Sequence, residues 1–154
     1  MKKLFAVISV LCLMLALCSC AAKGPDTKDL SISELDSVAV NDPVQMFIKQ
    51  KTVTDATEEL ALYVENLGDR DFSFDAAARL EVFLDGHWYL LPPKSDAMTM
   101  QLYHLPANGS EEVSFVLAGN YDKLGEGSYR IVKAFVDSEG VMAYAAAEFA
   151  IGRG

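Results

Sequence analysis

Leu80-Glu81-Val82-Phe83-Leu84-Asp85-Gly86-His87-Trp88-Tyr89-Leu90-Leu91 decides the fold class. Leu80, Val82 and Leu84 alternate with Glu81 and Phe83, the period-two pattern of a strand with one buried face. A second apolar run follows after Asp85-Gly86. Asp-Gly between two such runs is a strong hairpin signal, because a tight turn with the twist of the flanking strands needs positive φ at both central residues. Pro92-Pro93 then ends the second strand.

The same alternation extends in both directions. Val44, Met46 and Ile48 form one face, as do Leu60, Leu62 and Val64. Asn66-Leu67-Gly68-Asp69 reads as a turn before Phe72 and Phe74. Met98, Met100, Leu102 and His104 share one parity, so the spacing predicts that they face one way on a strand. Pro106-Ala107-Asn108-Gly109 turns the chain into Val113, Phe115 and Leu117. Tyr129 to Val136, a turn at Asp137-Ser138-Glu139-Gly140, and Val141 to Ile151 complete the pattern. Seven to nine short strands separated by frequent turns, with Ala76-Ala77-Ala78 too brief for a helix, predict an all-β chain folded as a β-sandwich.

Upstream the composition changes. Met1-Lys2-Lys3 is followed by an apolar run from Leu4 to Leu17. That run is shorter than the roughly 20 residues a spanning helix needs and fits the apolar region of a secretory signal. Leu17-Cys18-Ser19-Cys20 resembles the lipobox of bacterial lipoproteins, with Cys18 where Ala, Ser or Thr is usual. The resemblance implies cleavage before Cys20 and a diacylglyceryl thioether on its sulfur, with palmitate-type chains holding the protein to a membrane. The expected divisions are a signal peptide at 1–19, a lipidated cysteine and flexible tether at 20–42, and the sandwich domain at 43–154. Within the tether, Ser31 and Glu34 have capping-box spacing for a short helix. Location is then the cell envelope: the outer face of the cytoplasmic membrane, or an outer membrane where one exists.

Several stretches are together similar to bacterial immunoglobulin-like domains. They are Asn66, the Leu80–Leu91 hairpin, Leu124 with Gly127-Ser128-Tyr129-Arg130-Ile131-Val132-Lys133, and the closing Ala147-Glu148-Phe149-Ala150-Ile151. The resemblance implies a Greek-key sandwich without catalytic residues. Leu124, Gly127 and Tyr129 resemble a tyrosine corner, in which the phenol hydrogen-bonds backbone a few residues upstream.

The chain carries 13 basic and 22 acidic residues, and Lys2 and Lys3 would leave with the leader. Such an acidic surface repels nucleic acid. Cys12, Cys18 and Cys20 all lie at or before the expected cut, so the domain must fold without disulfides. The expected function is a non-enzymatic binding or accessory module, monomeric and without cofactor, for an envelope protein, peptide or glycan. Phe83, Tyr89 and Tyr103 are the candidate binding face, since exposed aromatics on a sheet suit recognition; hairpin packing is the simpler explanation of the same residues.

Three other chemistries are weighed. Met98, Met100 and His104 offer two thioethers and an imidazole, which suit Cu(I), so an envelope copper-binding protein is the alternative; the same residues also look like any core face. Asp69, Asp71, Ser73 and Asp75 alternate like a calcium loop, but Phe74 stands where that loop needs Gly and Leu80 where it needs a bidentate Glu. A cryptic hydrolase lacks a Gly-x-Ser-x-Gly elbow and has only His87 and His104 as bases.

Overall fold

The computed structural model describes residues 27–36, 41–95 and 101–152. Cys20, Met98 and Met100 lie outside them. A single 3-10 turn, Thr27–Asp29, leads into β1 (Ser31–Ile32). Then follow β2 (Val44–Ile48), β3 (Glu59–Asn66), β4 (Phe72–Asp75), β5 (Arg79–Leu84), β6 (His87–Leu91), β7 (Leu102–Leu105), β8 (Ser110–Val116), β9 (Gly127–Asp137) and β10 (Met142–Ile151). They form a three-stranded sheet, β2-β3-β8, packed on a seven-stranded one. In the larger sheet β9 pairs with β10 along one side and shares its other side between β5 and β4; β6 and β1 extend from β5, and β7 from β4. All strand pairs are antiparallel, and an isolated parallel bridge ties Val53 to Ile151.

The core lies where the alternation predicts it. Val44, Met46, Leu60, Leu62, Val64 and Phe115 on the smaller sheet meet Phe72, Phe74, Leu80, Val82, Tyr129, Ile131 and Phe135 on the larger. Each fully buried aliphatic side chain contributes about 1.5–3 kcal/mol, which is how the domain holds together without a covalent staple. β10 lies close against β2 of the opposite sheet. Its inward positions there are Ala143, Ala145 and Ala147, small enough to allow the approach.

The local devices are readable one by one. Asp85 and Gly86 have φ of 50° and 89°, so the β5–β6 hairpin has the positive-φ turn that Asp-Gly favours. The Tyr129 hydroxyl donates to the Gly125 carbonyl at 2.9 Å, forming the tyrosine corner. Asn66 is fully buried at the end of β3. Its amide donates to Arg70 O at 2.7 Å and Pro106 O at 2.9 Å, and its oxygen accepts from Gly68 N at 3.0 Å, so one side chain fixes two loops.

Two expectations are corrected here. The parity of β7 is reversed: Tyr103 and Leu105 face the core, while Leu102 is 72% exposed and His104 is exposed. Antiparallel partners share a face, and Phe72↔Leu105 and Phe74↔Tyr103 are partners. The inward Phe72 and Phe74 therefore fix the opposite set on β7. The second correction concerns the expected tether at 20–42. Its stretch Thr27–Asp36 is laid on the domain, with β1 paired to β6 and Leu35 buried. Ser31 begins a strand there and not a helix.

Candidate functional site

The larger sheet has an outer face that is not simply solvated. Along β5 the outward residues are Arg79, Glu81 and Phe83; on β9 they include Arg130 and Val132, on β10 Tyr144 and Ala146. Outward parity explains the charged residues, since strand neighbours alternate between faces. Yet Glu81 is 0% and Arg130 4% exposed. The cover is the segment Ser31–Asp36, which we call the strap.

The strap begins as an edge strand. Ser31 and Ile32 pair with Leu90 and Tyr89, and Ser33 N donates to Trp88 O at 2.8 Å. Its side chains then reach across the sheet. Ser33 Oγ donates to Glu81 Oε1 at 2.6 Å. The other Glu81 oxygen accepts from Arg130 Nε at 2.6 Å, and Arg130 also donates to the Leu35 carbonyl at 3.3 Å. The Arg130 guanidinium lies 4.4 Å over the Trp88 ring, which packs on Phe83 at 5.0 Å between centroids. Leu35 drops into a niche of Val132, Ala146 and Tyr144, a cluster separate from the main core. Asp36 closes the end: Trp88 N donates to Oδ1 at 2.6 Å, and Oδ2 lies 2.8 Å from His87 Nδ1. The His87 contact first, then the Trp88 amide, holds the Asp36 carboxyl below its ordinary value. Asn41 is docked on the edge of β10, its N donating to Tyr144 O and its side-chain oxygen accepting from Ala146 N, both at 2.8 Å.

A second buried charge lies on the inward side. Lys133 is 3% exposed, and its ammonium donates to Asp75 O at 3.0 Å and Ala77 O at 2.7 Å in the β4–β5 link. It stands 5.4 Å over the Phe74 ring. Burial lowers its pKa to about 8.

The residues singled out from sequence are not brought together. Phe83 is outward and 43% exposed, whereas Tyr89 and Tyr103 are half-buried against the main core. Register gives the reason: Phe83 pairs with Trp88, and Tyr89 pairs with the inward Val82. Tyr103 stacks on Phe74 at 5.0 Å. The expected aromatic face of Phe83, Tyr89 and Tyr103 therefore does not form. His104 stands on the solvent side of β7, 3.7 Å from Asp71; Met98 and Met100 lie outside the described residues, and no metal-ligating cluster occurs among those described. Asp71 and Asp75 have local duties, accepting from Ala107 N and Ala77 N. Sequence reading missed Ser33, Leu35, Asp36, Glu81 and Arg130, because outward charges on strands look like ordinary solvated residues. Lys133 did leave a signal: it shares the inward parity of Tyr129, Ile131 and Phe135.

Two packed antiparallel sheets, a tyrosine corner and an Asp-Gly hairpin define an immunoglobulin-like β-sandwich. The chain belongs to a family of bacterial Ig-like domains, whose model matches residues 40–150. Among solved structures, it is similar to the red sea bream transglutaminase at 14% identity and a TM-score of 0.48, over 73% of this chain but only 17% of that one. It is similar also to the archaellum periplasmic stator protein FlaG of Sulfolobus acidocaldarius, at 16% identity and a TM-score of 0.37 over 69% and 99% of the two chains. The PapD-like domain 7 of human CEP192 matches at 16% identity and a TM-score of 0.29 over 80% and 98%. These likenesses bear on neither partner nor activity. No curated protein matches the chain.

Proposed function

We propose that the protein is a lipid-anchored, extracytoplasmic binding module: one Ig-like sandwich without catalytic chemistry, held at the envelope through Cys20 and presenting a sheet face to a protein, peptide or glycan. The observation that carries this is Leu17-Cys18-Ser19-Cys20, placed a short way upstream of a bacterial Ig-like domain. The apolar run before it has the length of a signal and not of a span. Two or three acyl chains on one cysteine hold a protein firmly, where one alone is marginal.

The strap sharpens the arrangement. Only residues 21–26 separate Cys20 from Thr27, and a fully extended chain advances at most about 3.6 Å per residue. With the strap docked, the start of the domain lies within roughly 25 Å of its anchor, whereas a free tether ending at 42 could stretch to roughly three times that distance.

Fractionation of cells expressing the wild type and Cys20→Ala tests the reading. The wild type is expected in the membrane fraction and extractable only with detergent, and the variant as an unprocessed, longer chain. Identical behaviour of the two proteins, or release of the wild type in soluble form, would refute it.

A further inference from the structure

We propose that the outer face of the larger sheet is a peptide-binding groove, and that the chain's own strap is its resident occupant. The ligand class is read from what the groove does to Ser33-Glu34-Leu35-Asp36. It takes an extended segment with a hydroxyl residue, an aliphatic residue two positions on, and a carboxylate next to that. This rests on the reading of the domain as a binding module and not on the lipid anchor, so a failed fractionation leaves it standing.

Four observations converge. The edge of β6 supplies main-chain pairing to Ser31, Ile32 and the Ser33 amide, the means by which a sheet edge accepts an added strand from any sequence. Specificity comes from side chains: Glu81 Oε1 receives the hydroxyl at 2.6 Å, the Val132–Ala146–Tyr144 niche receives the leucine, and the Trp88 amide with His87 receives the carboxylate. The receptor for the hydroxyl is itself a buried ion pair, Glu81 with Arg130 at 2.6 Å. Such a pair adds little net stability over an apolar cover and acts by selecting which segment fits. Finally, the strap precedes the family match at residues 40–150, and its one buried apolar side chain, Leu35, sits in its own cluster; only Leu30, just ahead of the strap, touches the main core. It occupies the sandwich without being a layer of it, so it can leave while the core stays packed.

The single tryptophan, Trp88, lies at the groove and reports its occupancy. The test uses the chain from Ala21 to Gly154, carrying Ser33→Ala with Leu35→Ala to weaken the resident strap. The probe is a synthetic peptide of residues 27–36. Saturable binding, seen as a change in Trp88 fluorescence, is expected to be at least about ten-fold tighter for the variant than for the wild type, whose groove is already filled. A peptide with alanine at the Ser33 and Leu35 positions is expected not to bind, and Glu81→Gln in the variant background is expected to weaken binding. Absence of binding to the variant, equal binding to wild type and variant, or a strap-exchanged dimer that excludes the free peptide would each overturn the proposal. A protease site placed at 37–40 provides the second measurement. After cleavage, labelled peptide should displace the severed strap with the far-ultraviolet β signal retained; release only upon unfolding would overturn it.

Discussion

Single side chains carry much of what distinguishes this sandwich. Tyr129 is almost fully buried, and its hydroxyl is the donor to the buried Gly125 carbonyl. Tyr129→Phe leaves that acceptor short of a partner and is expected to cost about 1–2 kcal/mol, measured as a lower denaturant midpoint at unchanged slope. Lys133 presents the opposite case, a cation that folding takes out of water. Its ordinary pKa of 10.5 falls to about 8 on burial. Between those values the unfolded chain keeps the proton and the folded chain releases it, so stability rises with pH across that window. Below it both states are charged and the burial cost is felt in full. Lys133→Met removes the titration. The stability of the wild type relative to this variant is expected to climb by at most about 3 kcal/mol from pH 8 to 10.5, as urea unfolding at a series of pH values would show. A flat difference would mean that the ammonium stays charged on its two carbonyls.

At the scale of elements, the strap behaves as a separable piece. Arg130→Met leaves the Glu81 carboxylate buried without its cation. Truncating one partner of a buried pair typically costs about 3–5 kcal/mol when nothing can relax. Here the strap can let go and rehydrate Glu81, so the global cost is expected to be smaller than that. Amide hydrogen exchange at Ser33 should speed up strongly while exchange at Leu62 and Ile131 changes little; equal acceleration everywhere would make the strap part of the cooperative core. The contrast between strap and hairpin also shows what a sequence makes legible. Period-two alternation and Asp85-Gly86 place β2, β3, β5, β6 and β8 because hydrophobic face and turn chemistry are local properties. The inward face of β7 was not legible, since four residues of mixed character take their parity from pairing with β4. Nor was the strap: Leu30, Ile32 and Leu35 are scattered as in a tether, and Ile32 and Leu35 find their places only against a sheet made by residues fifty to more than a hundred positions away. The candidate site suffered for the same reason. Glu81 and Arg130 look solvated on their own strands, and their burial is the work of a third segment.

For the whole molecule, family membership, the two-sheet architecture and an acidic composition with no cysteine after Cys20 describe one Ig-like module. What the proposed role adds is a fixed address: Cys20 at a membrane, a short run of residues, and a strap that ties that run to the sheet edge. In that arrangement the strap is also the link through which any pull between anchor and domain must pass, so occupancy of the groove and the distance of the domain from the membrane become one variable. The address is the claim on which the others' biological meaning depends, and intact-mass and peptide mass spectrometry of the protein purified from its native envelope examine it most directly. The expected result is a mature chain whose first residue is Cys20, carrying a diacylglyceryl group on sulfur. A mature chain beginning at any other residue, or an unmodified Cys20, would contradict it.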